Sequence, residues 1–270
     1  MREMRALRVA AALLGLLAVA GLAGCRADPA VAAYVDDVRI TEAQVDEAAA
    51  ERAQALVVES DTALAELEVQ LNERVGSDDG FTAEDAAEQL AQAREQAAEQ
   101  LDQRTANTRD DVVTMRIITE VATSYAEAQG LDLPAPDYPL IANEFQMSAD
   151  SSYVRIAAEF FAARSALASA LEPAAPTETD QREMYDNLIA QGVTGTFEEA
   201  QQVLTVEQVG EPVALRNLIV AEVEAADLHV NPRYAPIYQV LVPLGNLQSW
   251  LTVSFTDSAV IDSGVTEERS

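Results

Sequence analysis

The chain has one cysteine, one histidine, no lysine and only 5% aromatic residues in 270 positions. Each scarcity removes a class of function. A single cysteine forbids an intramolecular disulfide, and one cysteine with one histidine cannot assemble a nitrogen and sulfur zinc site. Asp78-Asp79 and Asp110-Asp111 offer oxygen ligands, but neither sits in the alternating spacing of a calcium loop. Positive charge is also scarce: 17 arginines face 46 acidic residues, for a net charge of −29 and a pI near 4.1. Such a surface opposes a phosphate backbone and argues against nucleic-acid partners. There is no Gly-x-Ser-x-Gly, no phosphate loop and no Gly-x-Gly-x-x-Gly, and the one histidine, His229, falls inside the apparent strand Leu228-His-Val. No metal, cofactor or catalytic set is therefore expected, and the chain does not read as an enzyme. Carboxylate pairs carry no signal where carboxylates are this abundant.

What is present is enough to build a core, since 49% of residues are hydrophobic and the mean hydropathy is near zero. The clearest message lies at the N-terminus. Arg2, Arg5 and Arg8 precede an uncharged aliphatic run from Val9 to Ala20, and Leu22-Ala23-Gly24-Cys25 follows. A charged start, an apolar run shorter than a membrane span and a small-residue end make residues 1–24 an export signal. The four residues ending in Cys25 resemble the bacterial lipobox. That resemblance implies a cysteine thiol that is lipidated before the signal is cut ahead of it. Two acyl chains anchor a protein stably where one does not. The mature chain is thus expected to be tethered by Cys25 to the outer face of the cell membrane. No second apolar run is long enough to span, because Pro243, Gly245, Asn246, Gln248 and Ser249 interrupt Leu241 to Leu251.

Beyond a tether at residues 25–30, Val31–Val35, a turn at Asp36-Asp37 and Val38–Ile40 read as a small hairpin. Thr41 with Gln44 has the spacing of a capping box, and apolar residues at intervals of four and seven carry a helix to about Val75. Thr82 to Asp85 starts the next, an alanine-, glutamine- and glutamate-rich stretch running to Gly130 as one helix or as two folded back near Asn107. A proline-bearing connection at 131–140 and a helix at 148–171 come next. Short helices are expected after Thr177, over 197–206 and over 211–227. Then the period changes: Leu228–Asn231, Pro236–Val242 and Trp250–Phe255 alternate as strands do. The expectation is one mainly α domain over residues 31–256 with a small sheet joining its two ends, followed by a flexible acidic tail at 257–270.

Three stretches give this order a likeness. Ala32 to Val45, Pro176 to Tyr185, and Val223 to Tyr234 with its Val-Asn-Pro-Arg-Tyr resemble, in sequence order, segments of the SurA-like and PrsA-type exported chaperone-foldases. The resemblance implies an N-terminal strand paired with C-terminal strands around a helical cradle for non-native chains. That family usually inserts a parvulin isomerase domain between the second and third of these stretches. Here only Asp186 to Glu222 separate them, and the histidines of an isomerase centre are missing. The resemblance thus implies a holdase-type chaperone for newly exported polypeptides, without isomerase activity. The alternative is a structural or adaptor lipoprotein that binds one envelope partner, which the long polar helices would suit. Aromatic residues are densest at Tyr138, Phe145, Tyr153, Phe160 and Phe161, beside Met147. They read either as core of the 148–171 helix or as a groove for apolar segments, in which Phe145, Met147, Tyr153, Phe160 and Phe161 would bind polypeptide.

Overall fold

A computed structural model describes residues 28–76 and 80–255; the leader, Cys25 and the expected tail at 257–270 lie outside the described residues. The described chain is mainly helical, with small antiparallel sheets made from strands at its two ends.

Strands β1 (Val31–Val35) and β2 (Val38–Thr41) form the expected hairpin, and β1 is also paired on its other side by β3 (Leu228–Val230), giving the order β2-β1-β3. Ala33 faces Val230 and Val35 faces Leu228, so the two ends of the chain are joined by a backbone ladder. The remaining C-terminal strands do not extend this sheet. β4 (Ile237–Leu244) and β5 (Leu247–Ser254) pair only with each other, through a two-residue turn at Gly245-Asn246. Gly245 has φ 66°, which suits the first central position of a tight hairpin turn.

Thr41 does close a capping box with Gln44 and starts α1 (Glu42–Arg74). Thr82 and Asp85 do the same for α2 (Ala83–Gln129). The second helix is continuous through Asn107, about 70 Å long at 1.5 Å per residue. Its C-terminal half enters the core with Val112, Val113, Ile117 and Ile118 fully buried. Its N-terminal half pairs with the outer part of α1 as an arm. The arm has its own small core of Leu71, Phe81 and Ala86, and is tied by Arg104 to Glu59 and Arg94 to Glu68.

The connection expected at 131–140 is shorter than anticipated, because α3 (Tyr138–Phe145) begins within it. Asp137 caps this helix by accepting from the Leu140 N–H at 3.0 Å, and Pro139 falls in the first turn, where a missing N–H costs nothing. The next helix, α4, is accordingly Ser152–Ser169 rather than 148–171, starting where Ser151 caps Val154. Then come α5 (Glu178–Ala190), α6 (Phe197–Val203) and α7 (Val206–Ala225). The last begins five residues before the expected 211, carrying Pro212 in its interior, because Val209 and Val213 both bury on one face. The linker at Pro173 crosses α7 at Gly210, where a Cβ would lie 2.8 Å from the Pro173 ring and the Gly210 carbonyl accepts from the Ala174 N–H.

One core runs from Ala32 to Phe255 through every one of these layers except the arm. A polar clamp closes it near the chain ends. The Tyr234 hydroxyl donates to Glu42 at 2.6 Å, and Arg109 donates to both Glu42 and Tyr234 while also pairing with Asp46.

Candidate functional site

Of the five residues expected to bind polypeptide, Phe145, Tyr153, Phe160 and Phe161 line a single groove of about 500 Å³ along the first turns and middle of α4. Phe145 arrives from the last turn of α3, and Tyr153, Phe160 and Phe161 from α4. The opposite wall is one face of α2, from Asn107 to Met115, and the third is the start of β4 at Ile237, Tyr238 and Gln239. Met147 is the exception. It lies past the C-cap Gln146, whose left-handed backbone (φ 53°) turns the chain, and it packs partly buried against the core instead of lining the groove.

The rings are held edge to face: Phe145 on Tyr153 at 5.3 Å, Phe160 on Phe161 at 5.2 Å, and Phe160 on Tyr238 at 5.8 Å. Tyr153 and Phe160 are buried, whereas Phe145 and Phe161 remain partly open. Tyr153 and Phe160 thus belong to the core, and Phe145 and Phe161 are the members that a groove ligand could reach. Arg52 of α1 supports the cluster from behind, its guanidinium 5.0 Å from the Phe145 ring centre and 5.7 Å from that of Tyr153. Glu51 fixes the start of α4 by accepting from the Tyr153 N–H at 3.1 Å.

The walls of the groove are not purely apolar. Asp110 and Asp111 stand at the rim. Although Asp111 is exposed overall, desolvation of its carboxyl, and then the neighbouring Asp110 carboxylate, hold its pKa above its ordinary value. Burial also raises Tyr153 and Tyr238, opposed in each case by the nearest guanidinium, Arg52 and Arg164 respectively. In the α2 wall, Thr114 is 5% exposed and its hydroxyl has no hydrogen-bond partner. A buried hydroxyl left unpaired costs about 1–3 kcal/mol, and this oxygen is closed to the groove itself. The groove thus brings together flat rings and two carboxylates, a set suited to holding apolar and cationic side chains.

The contribution of β4 was not read from the sequence as part of this site. Its signal was there in the alternation Ile237-Tyr238-Gln239-Val240, but alternation states which side of a strand is buried and not which helix it faces. His229 lies elsewhere, on β3 opposite Tyr34, with Nε2 3.0 Å from Asp227. Among the described residues no group of three or more His, Cys, Asp or Glu side chains is placed to hold a metal, and no helix is long and apolar enough to cross a membrane.

No protein-family model, curated protein or solved structure matches this chain.

Proposed function

We propose that the mature protein is a holdase-type chaperone for exported polypeptides, tethered through lipid on Cys25 and working without isomerase activity. The observation that carries this reading is the aromatic groove. Its volume falls in the range that takes a small ligand or a few side chains, and its flat, soft lining accepts varied apolar partners. Partly open Phe161 and Phe145 meet the client, while buried Phe160 and Tyr153 keep the floor in place. The acidic rim adds preference for cationic segments. The stretch between Tyr185 and Val223 holds only the end of α5, α6 and most of α7, which supports a chain without the isomerase insertion of the SurA-like and PrsA-type proteins it resembles.

A photo-crosslinking residue at Phe161, in the anchored protein in intact bacterial cells, tests the reading. Adducts with many exported proteins are expected. One adduct of a single mass would replace the holdase with the adaptor reading. That second reading has its own support in the arm, where Val58 and Val69 are 60% and 56% exposed on a helix rich in acids.

A further inference from the structure

The two edges of the β4–β5 hairpin are treated differently. Because the turn has two residues, Leu244 and Leu247 form a hydrogen-bonded pair, and alternation along the register makes Val242/Ser249, Val240/Leu251 and Tyr238/Val253 the others. The main-chain groups of Gln248, Trp250 and Thr252 therefore point away from β4. Helix α5 and its C-cap Gln191 close that edge with side chains spaced four apart. Gln191 donates to the Gln248 carbonyl at 2.8 Å, Asn187 donates to the Trp250 carbonyl at 2.9 Å, and Glu183 accepts from the Thr252 N–H at 2.7 Å.

Nothing does the same for β4. By the same alternation, the N–H and C=O of Ile237, Gln239 and Leu241 point outward, and among the described residues none of them has a hydrogen-bond partner. The side chains are open too: Ile237 is 50% and Leu241 45% exposed, while Val240 and Val242 beneath them are fully buried. The inner face of the strand is buried, and among the described residues its outer edge is unpaired. That edge runs from the aromatic groove, at Ile237 and Gln239, to a second groove of about 530 Å³ beside Val240, Leu241 and Pro243. The second groove is lined by Leu215, Glu207 and Glu211 of α7 and by Arg164 of α4.

We infer that the free edge of β4 is a docking strand, which takes an extended polypeptide segment of apolar and cationic residues as an added strand, its side chains entering the two flanking grooves. The inference rests on the chaperone reading and states how the client is held. An open strand edge offers main-chain donors and acceptors at the strand repeat, so affinity comes from the client backbone whatever its sequence. Selection is left to the grooves. Asp110 and Asp111 in one and Glu207 and Glu211 in the other outnumber Arg164, which sets the sign of the favoured client. A second copy of this chain, at −29, and its own 257–270 segment, with Asp257, Asp262, Glu267 and Glu268 against Arg269, both carry the wrong sign.

The test uses the full mature chain and a fluorescent peptide of alternating valine and arginine. Peptide binding should slow amide exchange at Gln239 and Leu241 at least tenfold and leave the laddered amides of Tyr238, Val240 and Val242 unchanged. Leu241→Pro should weaken binding at least tenfold. It removes an outward N–H and no bond to β5, as Pro243 already does two residues on. The same peptide N-methylated at alternate positions gives an arm independent of folding, and should also bind at least tenfold more weakly. Binding with the Gln239 and Leu241 amides unprotected, or equal binding of the methylated peptide, would overturn the inference. So would protection of those amides in the free protein that rises with its concentration, or that vanishes on deleting residues 256–270. Aggregation suppression by the unaltered protein is measured alongside: its presence without edge protection defeats the docking strand alone, and its absence defeats the chaperone reading.

Discussion

Phe160 and Phe161 are adjacent in sequence, yet the first fills the space between α4 and β4 while the second faces the groove. Phe160→Ala should cost about 3–5 kcal/mol in urea unfolding, because it removes a buried ring that touches Tyr238 and Phe161. Phe161→Ser should cost only about 1 kcal/mol and yet reduce client binding, so that stability and binding separate across one peptide bond. Asp111 gives a pH-dependent counterpart. Its pKa is raised in the folded state, so the folded chain holds the extra proton and stability falls as pH rises through and past the ordinary carboxylate range. Asp111→Asn should leave stability unchanged in acid, where the carboxyl is protonated in both states, and raise it at neutral pH. Because Asp111 is still solvent-exposed, the gain should stay below about 1 kcal/mol, measured as thermal midpoints from about pH 3 to 7. At this scale the sequence exposed the rings through their density in an aromatic-poor chain. It did not separate floor from mouth, which depends on which side of α4 meets β4, nor show that Gln146 turns Met147 away from the groove.

Helix starts marked by a capping box were legible because that chemistry is local, whereas the starts of α3, α4 and α7, which have none, were missed or misplaced. The capping boxes at Thr41, Thr82, Thr177 and Thr196 each pair a hydroxyl with a side chain three residues on, and all four form. Helix lengths were less so. Whether 83–129 is one helix or two depends on the partner of its first half, and α1 provides that partner over the arm. The eight residues of α3 were hidden by two prolines before it and by Pro139 inside its first turn. The arm is joined to the main core only through the helices themselves, and so should open separately. Phe81→Ala, which removes the largest ring of its small core and the stacking partner of Arg74 at 4.3 Å, should speed amide exchange over about residues 64–95. The amides of Val112 to Val121 should keep the protection of the unaltered protein. Equal loss in both regions would show that the arm and core unfold together.

Across the whole molecule, the period change at both ends correctly announced that the termini would meet, since short strands need partners and each end offers one. It did not announce two separate sheets. β3 pairs with β1, and α5 occupies the outer edge of β5, so the hairpin β4–β5 forms its own sheet with one edge closed and, among the described residues, one open. This arrangement sets the free edge and the aromatic groove side by side. The proposed lipid anchor belongs to the same scale. Cys25→Ala, expressed in a bacterial host that performs lipidation, should move the protein from the membrane to the soluble fraction, and unchanged detergent partitioning would refute the lipid tether. The central claim is that the groove holds non-native chains of many kinds. It is tested most directly by light scattering of several unrelated unfolded proteins, diluted without nucleotide into the purified protein or its Phe161→Ser variant. The account predicts suppression for all of them by the unaltered protein and a marked loss with the variant at preserved stability; suppression that is absent, confined to one substrate, or indifferent to Phe161 would contradict it.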